Sequence, residues 1–144
     1  MVQLANFKRQ HQEIRELVNM TTALLDHSAL EKDPTQVRYK LSALSGKLLI
    51  HLSMEDQFLY PILMEQDDRQ LQTTARKFLA EMGDLVTVFK NYSQKWISPS
   101  SIKANPAAFI KESTDILHAL LQRIEREDRE LYPLVEAAPS LTNH

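Results

Sequence analysis

The chemistry of this chain is concentrated in the stretch His51-Leu52-Ser53-Met54-Glu55-Asp56-Gln57-Phe58-Leu59-Tyr60-Pro61. An imidazole and a carboxylate four residues apart lie one above the other on a helix face. Alternating steps of four and three place His51 and Glu55 in one seam with Val37, Leu41, Leu44, Leu48, Phe58 and Ile62, the spacing that faces a partner helix. Two ionisable groups in such a seam are costly to bury unless opposite charge compensates them. His11 is in the same situation, inside an apolar stripe made by Phe7, Ile14, Val18, Thr21 and Leu25 and widened by Leu17 and Leu24. Side chains of these types pointing into a core need a cation, and the identity of that cation decides the function.

Four amphipathic helices must position these groups. Apolar periodicity, caps and breakers place helix A at about 6–26, helix B at about 34–60, helix C at about 68–95 and helix D at about 106–131. Asp33 and Pro34 open helix B, Asp67-Asp68 gives helix C an acidic start, and Asn105-Pro106 opens helix D. The segments Ser28 to Asp33 and Ile97 to Ala104 read as a connector and a loop, Gly83 weakens helix C mildly, and the tail after Ala137 is expected to fray. Proline cannot continue the helical ladder, so Tyr60-Pro61 and Tyr132-Pro133 are expected to end or bend helices B and D. The seam of helix C reads Leu71, Ala75, Phe78, Met82, Leu85, Phe89, Tyr92 and Trp96. Short connections between four such helices predict an all-α, antiparallel up-down-up-down bundle, one domain over residues 1–144.

Composition removes several function classes. With 43% hydrophobic and 25% charged residues the chain has an ordinary globular balance, and a net charge of −2 provides no field for phosphate neutralisation, so no nucleic-acid partner is expected. The absence of cysteine excludes thiolate nucleophiles, disulfides and cysteine-held metal clusters. No apolar run reaches membrane-spanning length and no leader-like segment opens the chain, so a cytoplasmic location is expected.

Helices B and D share a hidden repeat. Glu55-Asp56-x-x-Leu59-Tyr60-Pro61 matches Glu127-Asp128-x-x-Leu131-Tyr132-Pro133, and His51 is answered by Arg123. Helices A and C match more loosely, through Gln10-His11-x-x-Ile14-x-x-Leu17-Val18 and Glu81-Met82-x-x-Leu85-x-x-Val88-Phe89, so that His11 is answered by Met82. One seam histidine on helix A, His-x-x-x-Glu on helix B and a glutamate before Leu-Tyr-Pro on helix D resemble the hemerythrin-like (HHE cation-binding) domain from His11 to about Glu136. The resemblance implies a four-helix bundle around a non-haem iron site held by histidines and carboxylates. By position, His11, His51, Glu55 and Glu127 match family ligands, whereas Met82 and Arg123 stand where the family usually has histidine. The iron position fed by helices C and D is therefore expected to be lost, and a di-iron centre with it.

Two readings of the remaining half follow. In one, His11, His51, Glu55 and Glu127 hold a single iron(II), manganese(II) or zinc(II) ion. In the other, Arg123 faces Glu55 and Glu127 and replaces the metal with an ion-pair core. Two carboxylates and one arginine leave a single negative charge, which a protonated histidine neutralises, while a divalent ion would leave the cluster positive. That count ranks the metal-free core first. It points to a non-enzymatic bacterial regulatory or protein-interaction module, monomeric or homodimeric. The alternative is a metal-binding oxygen or redox sensor, or a storage domain. The stretch Arg123 to Asp128 also looks similar to bacterial anti-sigma regulators, which makes sigma factors and response regulators the first partners to test. Of the remaining groups, His118 is expected at the surface, His27 in a connector and His144 in the tail. Tyr60 and Tyr132 are expected to pack at the bundle ends, hydroxyls reaching water or backbone. The run Glu125 to Glu130 reads as mostly a solvated face, and Tyr92 and Trp96 as either a core cap or a partner surface.

Overall fold

The computed structural model describes residues 3–138 and Leu141; His144 lies outside the described residues. Helices α1 (Leu4–Ala23), α2 (His27–Lys32) and α3 (Thr35–Met54) come first, followed by α4 (Tyr60–Met64), α5 (Arg69–Met82) and α6 (Leu85–Lys95). The chain then forms α7 (Pro99–Ala104), α8 (Pro106–Arg126) and α9 (Tyr132–Glu136). Four rods make the expected all-α bundle: α1, then α3 continuing into α4, then α5 with α6, then α8 continuing into α9. Local chemistry sets their starts. The carboxylates of Asp26 and Asp68 accept from the backbone N–H groups of Ala29 and Leu71, and the Asn105 side-chain oxygen Oδ1 accepts from the Ala108 N–H. Asp33 accepts from the Thr35 N–H at 3.0 Å. The two connectors read as irregular from sequence instead hold the single-turn helices α2 and α7, which pack on each other and bury Leu30 and Ile102. No helix among the described residues is long and apolar enough to cross a membrane.

The Tyr-Pro pairs neither end nor break their rods. Glu55–Leu59 and Glu127–Leu131 each form one π-helical turn, in which the N–H of Tyr60 bonds to the Glu55 carbonyl and that of Tyr132 to the Glu127 carbonyl. Each proline then falls in the first turn of a new α-segment, where its missing N–H costs nothing. The extra residue in a π-turn rotates everything after it. The seam therefore passes from Glu55 to Leu59, Tyr60 and Leu63, while Phe58, expected inside, is 63% exposed, and Ile62 is exposed as well.

Helix C is broken too. Gly83 and Asp84 separate α5 from α6, and a Cβ at Gly83 would stand 2.4 Å from the Leu79 carbonyl oxygen. In a regular helix Gly→Ala gains about 1 kcal/mol. Here Gly83→Ala is expected to cost about 1–3 kcal/mol, because backbone must move; chemical denaturation of the variant checks the sign.

Two apolar cores fill the bundle. One contains Ile14, Val18, Leu41, Leu44, Phe89, Phe109 and Leu120. The other contains Leu4, Phe7, Leu59, Leu63, Phe78 and Leu131. Tyr92 and Trp96 belong to the first, 6% and 4% exposed, so they cap the core and offer no partner surface. Between the cores lies a layer of buried polar side chains, His11, His51, Glu55, Arg123 and Glu127. Both π-turns start in this layer, and α5 ends at Met82, whose carbonyl reaches it through Arg123.

Candidate metal centre

Regular α1 brings His11 to the layer, α3 brings His51, and the two π-turns bring Glu55 and Glu127. One ligand-type atom from each of these four residues lies within 4.8 Å of the other three, and all four side chains are buried. No other such group of His, Asp or Glu occurs among the described residues. The imidazole rings of His11 and His51 meet edge to face with centroids 4.7 Å apart.

The hydrogen bonds behind the imidazoles fix their orientation. His51 Nδ1 lies 2.6 Å from the Gln10 side-chain oxygen Oε1, and His11 Nδ1 lies 2.7 Å from Asp128 Oδ1, the other oxygen of that carboxylate pairing with Arg15. Both partners are acceptors, so each Nδ1 carries the proton and the Nε2 lone pair is directed inward when the ring is neutral. His51 Nε2 then faces Glu55 Oε1 at 3.0 Å, and His11 Nε2 faces Glu127 Oε1 at 3.1 Å. His51 Nε2 and Glu127 Oε1 are buried and have no hydrogen-bond partner. Acceptors turned toward acceptors in a buried layer are the arrangement a metal ion satisfies, with the Nδ1 partners holding the rings as is usual for ligating histidines.

The far carboxylate oxygens are held across the bundle. Tyr132 donates to Glu55 Oε2 at 2.8 Å and Tyr60 donates to Glu127 Oε2 at 2.7 Å. This corrects the expectation for the tyrosines: their hydroxyls reach neither water nor backbone, because the π-turns swing them inward to exchange glutamates between the two halves of the repeat. Tyr132 Oη also lies 3.2 Å from His11 Nε2.

Arg123 does point into the layer and is 2% exposed. It bonds Glu127 Oε2 at 3.3 Å through Nε and Glu55 Oε1 at 3.4 Å through Nη2. Its shortest contact is to Asp56 Oδ1 at 2.6 Å, and its Nη1 donates to the Met82 carbonyl oxygen at 3.2 Å. Met82 thus enters through its backbone, its side chain being partly buried packing. Asp56 changes the charge count made from sequence. With all three ionised and both imidazoles neutral, the carboxylates of Glu55, Asp56 and Glu127 around one guanidinium leave two negative charges, the number that one divalent ion cancels.

The electrostatics follow from burial and these neighbours. Burial raises the carboxyls of Glu55 and Glu127 above the ordinary range; proximity to Glu55 adds to this at Glu127, and Arg123 and His11 offset part of it at both. Burial acts against protonation of His11, but Glu127, Glu55 and Asp128 outweigh it and the net shift is upward. His51 is pushed down to about 3, by burial first and then by the positive charges of His11 and Arg123. Arg123 is held above its usual value despite burial, chiefly by Glu127 and Glu55.

Sequence reasoning identified the four candidate ligands and Arg123 but missed Gln10, Asp56 and Asp128. The repeat already aligned Asp56 with Asp128, which was the available signal. The run Glu125 to Glu130 is mostly a solvated face, as expected, with Glu125 and Glu130 exposed and Glu127 buried as its seam position implies; the partly buried Asp128 is the addition. His118 is exposed, as expected, and His27 lies at the surface paired with Glu31.

Comparisons with curated proteins and with solved structures each returned no match. The sequence profile of the hemerythrin HHE cation-binding domain matches residues 2–135, nearly the whole chain and all the side chains of the buried layer, so the chain belongs to the hemerythrin HHE cation-binding domain family.

Proposed function

We propose that this chain is a non-catalytic metal-responsive domain that binds one divalent ion, iron(II) by family and donor set, through His11, His51, Glu55 and Glu127. The observation that carries the reading is the pair of orphaned, inward-facing atoms, His51 Nε2 and Glu127 Oε1, within the buried four-residue cluster. Two nitrogens and two oxygens suit iron(II), manganese(II) or zinc(II). Asp56 occupies much of Arg123, so the guanidinium does not by itself neutralise the two glutamates. A bound ion would supply charge that ties α1, α3 and α8 together, and a redox-active one would supply a change in that charge. Arg123 stands on the side where a second ion would otherwise need ligands, which supports a single ion over a pair.

The reading favoured from sequence, a metal-free interaction module with Arg123 as the only cation, keeps one supporting observation: the guanidinium does touch all three carboxylates. Elemental analysis separates the two. Protein purified without chelator from iron- and manganese-replete cells is expected to carry about one ion per chain, as a stabilising site requires. A content below about 0.1 per chain would sink the metal reading in favour of the ion-pair core.

A further inference from the structure

Arg123 does more in the buried layer than hold carboxylates together. Its guanidinium is 2% exposed and engaged along its whole rim. Nε meets Glu127 Oε2, Nη1 the Met82 carbonyl oxygen, and Nη2 both Glu55 Oε1 and Asp56 Oδ1. The Tyr60 ring lies against it, with 5.6 Å between the guanidinium carbon and the ring centroid. A guanidinium stays charged at any ordinary pH. One unit of positive charge is therefore fixed beside the two candidate ligand glutamates, and it cannot reach water without breaking these contacts.

Fixed charge of this kind discriminates between ions by valence. Ligating carboxylates are ionised and ligating imidazoles neutral. With an ion bound, Glu55, Glu127 and Asp56 set three negative charges against the one positive charge of Arg123. Asp128 is paired with Arg15, and Gln10, behind His51, is uncharged, so neither alters that balance. A divalent ion brings the layer to zero. A trivalent ion leaves one positive charge among buried side chains, where it is poorly solvated and little screened by salt.

Asp56 and Arg123 act on this balance in opposite senses. Asp56 is outside the cluster of four candidate ligands, its side chain is 19% exposed, and it bonds to the guanidinium. Removing its charge makes the layer less negative. Removing the charge of Arg123 makes the layer more negative.

We propose that Arg123, its charge partly offset by Asp56, sets the valence of the bound ion, so that iron in this site rests as iron(II) and is oxidised only at a raised potential. The proposal rests on the single-ion reading above and deepens it. Arg123 and Asp56 are positioning residues, acting on the ion through space and through the ligand glutamates. Such a site reports the availability of a divalent ion more readily than a change in its oxidation state.

Equilibrium dialysis with zinc(II), which has a single valence, is expected to give about one ion per chain. The same chains loaded anaerobically with iron(II) are then titrated potentiometrically, the one electron of the iron(II)/iron(III) couple passing to or from added mediators. Arg123→Gln is expected to favour iron(III) over iron(II) by roughly 100-fold relative to the parent, a potential lower by about 120 mV at about 59 mV per tenfold. Asp56→Asn, which keeps an oxygen for the guanidinium, is expected to favour iron(II) by roughly 10-fold, about 60 mV higher. Its effect is the smaller because the charge is farther from the ligands and partly exposed. Arg123→Lys, which keeps the charge, should stay nearer the parent than Arg123→Gln. Asp56→Asn decides the matter by itself where Arg123→Gln fails to fold. Shifts of the same sign in both variants, or no shift in Asp56→Asn, would overturn the proposal and leave the single-ion reading standing, since lost packing alone affects both variants alike. A parent that binds zinc(II) but no iron would overturn it too. A parent that binds neither would overturn the single-ion reading and the proposal with it.

Discussion

Arg123→Ala is expected to lower the stability of the metal-free protein by about 3–5 kcal/mol, the cost of leaving buried charges without their partner. The substitution strands Glu55 and Glu127, both fully buried, together with Asp56 and the Met82 carbonyl. Against a typical total stability of about 5–15 kcal/mol this is a large fraction. Urea unfolding with chelator present measures it. A loss below about 1 kcal/mol would mean that the carboxylates do not depend on the guanidinium, as when burial leaves them protonated. Arg123→Lys should fall between parent and alanine, since one ammonium cannot span Asp56, Glu127 and the carbonyl as the planar fork does. A divalent ion should restore part of the loss, because metal and guanidinium neutralise the same carboxylates.

His51→Ala should empty the site. It removes an Nε2 that has no other partner, so metal content is expected to fall from about one ion per chain to less than about 0.1. Gln10→Ala, which only frees the ring that Gln10 orients, should weaken affinity by about 10–100-fold, less than loss of the ligand itself. His118→Ala, at an exposed position on α8, should leave metal content at the parental value. Equal metal content in parent and His51→Ala would show that any ion is held elsewhere. A truncated imidazole also leaves a cavity beside Phe7 and His11, so metal-free stability should drop as well. The graded series of ligand, supporting residue and surface control therefore separates coordination from packing.

The two effects bear on one balance. From sequence, Arg123 appeared to have two carboxylates to serve, and a metal beside it would have left excess positive charge. In the folded chain Asp56 takes the shortest of its bonds, and the deficit becomes that of one divalent ion. Asp56 could not enter a count made from sequence because it is adjacent to Glu55 and lies off the straight-helix seam.

The sequence by itself determined the bundle, the level at which ionisable groups enter the core, and the identities of His11, His51, Glu55, Glu127 and Arg123. These follow from helical periodicity and from a repeat readable without any outside sequence, both local properties of the chain. Only the tertiary structure decided what the groups face. Each Tyr-Pro pair was expected to end or bend a rod; the rod continues, and the pair follows a π-turn, a one-residue change of phase that no fixed period contains. That change turned Phe58 outward and Tyr60 and Tyr132 inward, so that each tyrosine holds the glutamate of the other hairpin. The Nδ1 partners Gln10 and Asp128 also belong to contacts between helices. Periodicity gives the face a residue occupies, while hydrogen-bond direction and charge balance depend on the neighbouring helix, and those two properties decide whether the buried layer needs a metal.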